Sequence, residues 1–192
     1  MNAKIILYSL SLLSWSAFAQ HDHSSGHSNA PTHSKKETAH SHRAAPEFQV
    51  QLGEVFKASL QLNDALVSSD PMKASSSVTE IKTSILKVDM TMLKDEALMD
   101  WMIHLKIFNE NLDLISGSDD LASQRKAFKL FSNALYKSLK TFGSGGITIY
   151  YAYCPMANGN TGGYWLSDVS EIRNPYFGDK MLKCGSVEEK LN

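Results

Sequence analysis

LMDWMIHLKIFNENLDLI (Leu98–Ile115) carries large apolar side chains at Leu98, Trp101, Leu105, Phe108, Leu112 and Ile115. The steps of three and four between them place all six on one stripe of an α-helix. The sequence supplies partners for that stripe. Phe48, Leu52, Val55, Leu62 and Leu66 repeat the spacing, with Ser59 filling the gap. Val78, Ile81, Ile85, Val88 and Met92 form a second set, and Leu121, Phe128, Phe131, Leu135 and Phe142 a further one. Four amphipathic stripes in one stretch predict four helices packed around a shared core.

The punctuation between the stripes agrees. Asp70-Pro71 reads as an N-cap followed by proline at the first helical position. Asp95 is expected to cap the third helix and Gly117 to end it. Ser118-Asp119-Asp120 opens the fourth, and Gly143 closes the set. Connections this short favour antiparallel neighbours, so the predicted fold is mainly α: an up-down four-helix bundle with a small C-terminal β-hairpin and loop motif. Within the bundle, Met90, Met92, Met99 and Met102 read as core filler, the usual use of methionine at helical spacing. His104 has no histidine or carboxylate at i+4 and reads as a surface or rim residue. No Glu-x-x-His pairing suggests a di-iron centre, so the bundle reads as a scaffold.

Both ends of the chain differ in composition from this centre. MNAKIILYSLSLLSWSAFA (Met1–Ala19) has a lysine, an apolar run and Ala17-Phe18-Ala19, the order of a secretory signal peptide cleaved after Ala19. Its apolar run falls short of the roughly 20 residues of a membrane span. No later segment is apolar enough to span, so the mature chain is expected to be exported to the periplasm without a membrane span. Residues 20–46 hold six of the seven histidines, His21, His23, His27, His33, His40 and His42. Almost devoid of large apolar residues, the segment is expected to be a disordered tail. It reads either as a soluble linker or as a weak metal-collecting tail, since neutral imidazole binds copper, zinc and nickel.

After Gly143-Ser144-Gly145-Gly146 the helical period ends. ITIYYAYC (Ile147–Cys154) is β-branched and aromatic, as a strand is, and GYWLS (Gly163–Ser167) is a candidate return strand. Asn158-Gly159, Gly162-Gly163 and Asn174-Pro175 with Gly178 are turn signals. The domain is thus expected over 47–186, with a Cys/Met motif at 147–185 and a C-terminal tail at 187–192. A motif of about 40 residues is too small to fold by itself.

The chain's two cysteines fall in this motif, each near a methionine: Cys154 with Met156, and Met181 with Cys184. Two readings stand side by side. In an oxidising compartment, Cys154 and Cys184 form a disulfide that staples the motif, worth roughly 3–4 kcal/mol in the chain-entropy model. Alternatively, thiolate and thioether are the soft donors that select copper(I) or silver(I). In an extended strand Cys154 and Met156 share a face. One helical turn would likewise bring Met181 and Cys184 together. The ion would then be cargo, not an essential cofactor.

The blocks YCPMA, GYWLS, EIRNPYFG and MLKCG, in this order, resemble the domain-of-unknown-function 3347 family of bacterial periplasmic domains. The resemblance spans about Phe48–Gly185. Such domains also occur on the adaptor subunits of copper/silver efflux pumps, which implies a heavy-metal ion and an efflux adaptor as partners. The CPM core is similar to the Tyr-x-Cys-Pro-Met-His motif of heavy-metal-binding modules, with Ala157 standing where that motif has histidine. The resemblance implies a metal-handling role built on Cys154, Met156, Met181 and Cys184.

Other classes fit poorly. The formal net charge is −1 and no basic patch interleaves with aromatics, which speaks against nucleic acid. No Cys-x-x-Cys suggests thiol–disulfide exchange, and the glycine run lacks the lysine of a phosphate loop. The expected function is therefore non-enzymatic: exported buffering of copper(I) or silver(I), or delivery to an efflux system. The alternative is a non-catalytic interaction domain, stapled by Cys154–Cys184, that presents Tyr164, Trp165, Tyr176 and Phe177 around the rigid turn Asn174-Pro175-Tyr176-Phe177-Gly178.

Overall fold

The computed structural model describes residues 42–192. Four helices, α1 (Pro46–Val67), α2 (Pro71–Leu86), α3 (Asp95–Ser116) and α4 (Leu121–Phe142), form the bundle, with a short 3-10 turn at Met90–Met92 between α2 and α3. Consecutive helices pair, α1 with α2 and α3 with α4, and α4 returns against α1. The expected stripes face inward. Phe48, Leu52, Leu62, Leu66, Ile81, Trp101, Phe108, Leu112 and Phe142 are fully or almost fully buried. Phe48 meets Trp101 and Phe142 edge-on, both at 5.3 Å between ring centres, and Phe108 meets Phe131 at 5.6 Å. Edge-to-face contacts of this kind add to the area burial of each ring.

The helix starts at Asp70 and Asp120 behave as read. Each carboxylate accepts the amide of the residue three further on, Lys73 and Ser123, at 2.9 Å. Asp95 does not cap α3. It is the first helical residue, in a left-handed conformation (φ 49°), and Lys94 takes the cap position without a side-chain bond.

The C-terminal part is a three-stranded antiparallel sheet in the order β2-β1-β3, built from β1 (Ile149–Cys154), β2 (Gly163–Ser167) and β3 (Ser186–Leu191). The tail expected at 187–192 is therefore corrected to an edge strand, and the hairpin to a sheet. β3 pairs Leu191 with Ile149 and Val187 with Ala152, across an irregularity at Tyr151/Ala152. Glu189 fixes β3 to α4: its carboxylate accepts from Tyr136 Oη and Lys140 Nζ, each at 2.5 Å. Two polar bonds hold a strand whose own side chains bury little.

The expected tail boundary also moves. The amide of Ala44 donates to Phe142 O at 3.0 Å, and Gln49 Nε2 donates to Ala44 O at 2.7 Å, so residues 42–46 are fastened to the bundle. The expectations for residues 1–41 lie outside the described residues. Two expectations within the bundle are overturned. Met90, Met92, Met99 and Met102 are exposed, because the inward direction of α3 is set by Trp101 and Phe108 and both helical methionines lie away from it. His104 lies in that inward direction and is buried, with Nδ1 2.8 Å from Ser138 Oγ.

Candidate functional site

β1 ends at Cys154, whose thiol is fully buried, while Cys184 lies on the segment that leads into β3 and is half-buried. The two Sγ atoms stand 3.3 Å apart. Thirty residues separate them in the chain, so the fold brings this pair together. The bond to Cys154 raises the thiol pKa of Cys184 above its ordinary value, with burial and the neighbouring sulfur's charge adding to the shift.

Asn174 organises the approach of Cys184. This residue is fully buried; its Nδ2 donates to Cys184 O at 2.7 Å and its Oδ1 accepts the amide of Tyr176 at 2.8 Å. Its own amide donates to Leu182 O at 2.9 Å. Tyr176 Oη in turn donates to Tyr164 O on β2. Two glycines make room for this arrangement. Gly163, directly across from Cys154, lies under the Tyr176 ring, 2.6 Å from where a Cβ would sit. Gly185 has φ 137°, and a Cβ there would meet Tyr153 O at 2.7 Å and the Trp165 ring at 2.8 Å. The backbone beside Cys184 thus passes flat against β1 and the indole.

Arg125 on α4 locks the turn to the bundle. Nε donates to Pro175 O at 2.8 Å, and an Nη donates to Leu66 O and Ser69 Oγ, each at 2.9 Å. Gly178 (φ 57°) completes the seat, since a Cβ there would stand 2.7 Å from Val67 O. Sequence reasoning missed Arg125, since nothing in a charged residue on a helix announces a partner fifty residues away. The other face of the sheet stacks on α4 through tyrosines. Tyr136 lies on Tyr151 at 3.6 Å and Tyr151 on Tyr164 at 4.6 Å, nearly parallel, and Tyr153 leans on Tyr164.

The two methionines sit in local geometries other than the expected ones. The strand stops at Cys154, and Met156 has turned into the αR conformation (φ −83°, ψ −11°), 46 % exposed, so the alternation that would align it with Cys154 is lost. Met181 is half-buried. The Cys184 amide donates to Met181 O at 3.1 Å, which makes a tight turn here instead of a helical one. The aromatic residues expected to face a partner are also placed differently: Trp165 and Tyr176 are buried, and Tyr164 and Phe177 half-buried. Two of them border the thiol pair: the Tyr176 ring lies over Gly163, across from Cys154, and the Trp165 ring lies against Gly185, next to Cys184.

Among the described residues, no group of three or more His, Cys, Asp or Glu is arranged to hold a metal ion, and no helix is long and apolar enough to cross a membrane. His42, the one tail histidine within the described residues, has Nε2 3.9 Å from Glu96 and 3.7 Å from Asp100. His21, His23, His27, His33 and His40 lie outside them.

Fold and site together define a helical-bundle domain with a small sheet that carries a pair of adjoining cysteines, one buried and one half-buried. Residues 55–146 match the model of the family described as Protein of unknown function (DUF3347), which supports the family resemblance read from the sequence. The match runs from α1 to the glycine loop; the four C-terminal blocks that carry the resemblance lie beyond it. No curated protein and no solved structure matches the chain.

Proposed function

We propose that this is an exported heavy-metal-binding protein that buffers copper(I) or silver(I) at Cys154 and Cys184, or hands the ion to an efflux adaptor. The observation that carries the reading is the meeting of the only two cysteines, 3.3 Å apart, with one of them reachable from solvent. Two thiolates are a soft, low-coordination donor set suited to a monovalent ion of this kind. The apolar wall of Trp165 and Tyr176 would exclude competing water. Binding would displace the thiol protons, since the thiolate is the ligand.

A second reading has its own support. Two thiolates sharing one ion at a bond length of about 2.3 Å stand roughly 3.8 Å apart at a tetrahedral angle. The sulfurs here are closer than that, and in an oxidising compartment they would close to a disulfide. The domain would then be a stapled, non-catalytic interaction module.

Titration of the reduced, full exported chain with copper(I) against a competing chelator separates the two. The metal reading expects one equivalent bound tightly, and loss of that equivalent in Cys154→Ser and in Cys184→Ser. Retention of the equivalent in both variants would remove the thiols from the site. Both cysteines found disulfide-bonded in untreated periplasm, with no tight site after reduction, would favour the stapled module.

A further inference from the structure

Cys154 and Cys184 meet on unequal terms. Cys154 has no exposed surface, whereas Cys184 is half-buried. The Tyr176 ring covers Gly163, the residue paired with Cys154 across the sheet, and Ala157 just beyond the strand end is fully buried as well. A molecule in solvent cannot reach the Cys154 thiol unless the fold opens. Cys184 differs. Its backbone is held on both sides, the amide by Met181 O at 3.1 Å and the carbonyl by Asn174 Nδ2 at 2.7 Å, while its thiol stays open to solvent. Rotation about its Cα–Cβ bond therefore moves the sulfur and leaves the loop in place. No Cys-x-x-Cys spacing announces this pair, yet its sulfurs stand 3.3 Å apart.

We propose that Cys184 is a site of reversible modification by small disulfides of the glutathione type, and that Cys154 is the resolving thiol that converts the adduct into an internal disulfide. In the first step the Cys184 thiolate attacks one sulfur of the small disulfide. A mixed disulfide forms on Cys184, the S–S bond of the reagent breaks, and one small thiolate leaves. In the second step the Cys154 thiolate attacks Cys184 Sγ. The Cys154–Cys184 bond forms, the mixed disulfide breaks, and the second small thiolate leaves. The protein gives up two electrons and two protons, and the reagent takes up the electrons and becomes two thiols. A reducing thiol runs the same path backwards: it attacks Cys184 Sγ, and Cys154 is the leaving group. The order follows from access, because a covered thiol cannot meet an incoming disulfide but can meet its neighbour. This reading goes beyond a permanent staple. It also needs no metal, so a failed copper(I) titration leaves it standing.

The test treats the reduced, full exported chain with glutathione disulfide, quenches with acid, and maps each cysteine by mass spectrometry over time. Wild type is expected to end as the internal disulfide, and any adduct caught on the way should sit on Cys184. Cys154→Ala, an apolar replacement for a buried position, should stop at a stable adduct of one glutathione on Cys184. Cys184→Ser should react at Cys154 roughly tenfold or more slowly than Cys154→Ala reacts at Cys184. In denaturant the two variants should react within about twofold of each other, which ties the difference to the fold. The wild-type time course keeps the test decisive where a variant does not fold. An adduct that forms first on Cys154, a wild-type adduct on Cys184 that persists without internal closure, equal rates in the folded variants, or no reaction at either cysteine would overturn the proposal.

Discussion

Arg125 on α4 donates from Nε to the carbonyl oxygen of Pro175 across 2.8 Å, tying the turn after β2 to the bundle. The same guanidinium also holds Leu66 O and Ser69 Oγ, so one side chain joins α4, the end of α1 and the loop that delivers Cys184. Hydrogen bonds from a charged donor to carbonyls contribute about 1.5–3 kcal/mol. Arg125→Met keeps the aliphatic stem and removes the donors. Urea unfolding should show a loss of about 2 kcal/mol, and alkylation of Cys184 should accelerate as the loop loosens. Unchanged alkylation with lower stability would mean that Arg125 serves the helices only.

The thiol pair should respond to pH in a defined direction. The Cys154 bond and burial raise the pKa of Cys184, so less thiolate is present at neutral pH than for a free cysteine. Alkylation of Cys184 at pH 7 is expected to be slower than that of a cysteine in an unfolded peptide, and to need a higher pH to reach its full rate. Cys154→Ala removes the bond that contributes most to the shift and should speed the reaction at pH 7. Apparent copper(I) affinity at the pair should climb with pH over the same range, because protons must leave as the ion enters.

Oxidation of the pair closes a loop of about thirty residues, worth about 3–4 kcal/mol in the chain-entropy model. The reduced protein and the Cys154→Ser, Cys184→Ser variant should therefore unfold at similar, lower denaturant concentrations, and the oxidised protein later. Equal midpoints for oxidised and reduced protein would show that the bundle already holds the loop without the bond.

The four helices were legible because each writes its own apolar stripe, and Asp70 and Asp120 cap as their positions indicate. Which way a stripe faces was harder to read. Met99 and Met102 satisfy helical spacing, but Trp101, His104 and Phe108 set the buried direction, and that phase excludes both methionines while drawing His104 inside. SVEEKL gives almost no strand signal of its own, since β3 is defined by its partner β1 and by Glu189 meeting Tyr136 and Lys140. At the site, the meeting of Cys154 and Cys184 was open to inference from their number alone. The departure of Met156 from the strand was not, because it follows from a turn that starts directly after Cys154.

β3 offers a direct measure of how much that polar anchor does. Burial by itself would raise the pKa of Glu189, but hydrogen bonds from Lys140 and Tyr136 outweigh it and hold the carboxyl below its usual value. Glu189→Gln with Tyr136→Phe should release β3 first. Amide exchange at Val187–Leu191 would then quicken, while the core of α1 and α3 keeps its protection.

His104 provides the pH test of the bundle itself. Its imidazole is buried against Phe142 with Nδ1 bonded to Ser138, and burial lowers its pKa. Asp100 opposes that shift and Lys137 reinforces it. With the folded pKa below the unfolded value of about 6.5, the unfolded chain binds more protons between the two. The stability contributed by neutral His104 is thus fully present above about pH 6.5 and is lost as pH falls through the folded value. His104→Gln keeps a hydrogen-bonding partner for Ser138 but cannot be protonated. In unfolding measured from pH 7.5 down to pH 5, the wild-type chain should lose stability more steeply than the variant. Parallel curves would show that carboxylates elsewhere, and not this histidine, govern the acid side.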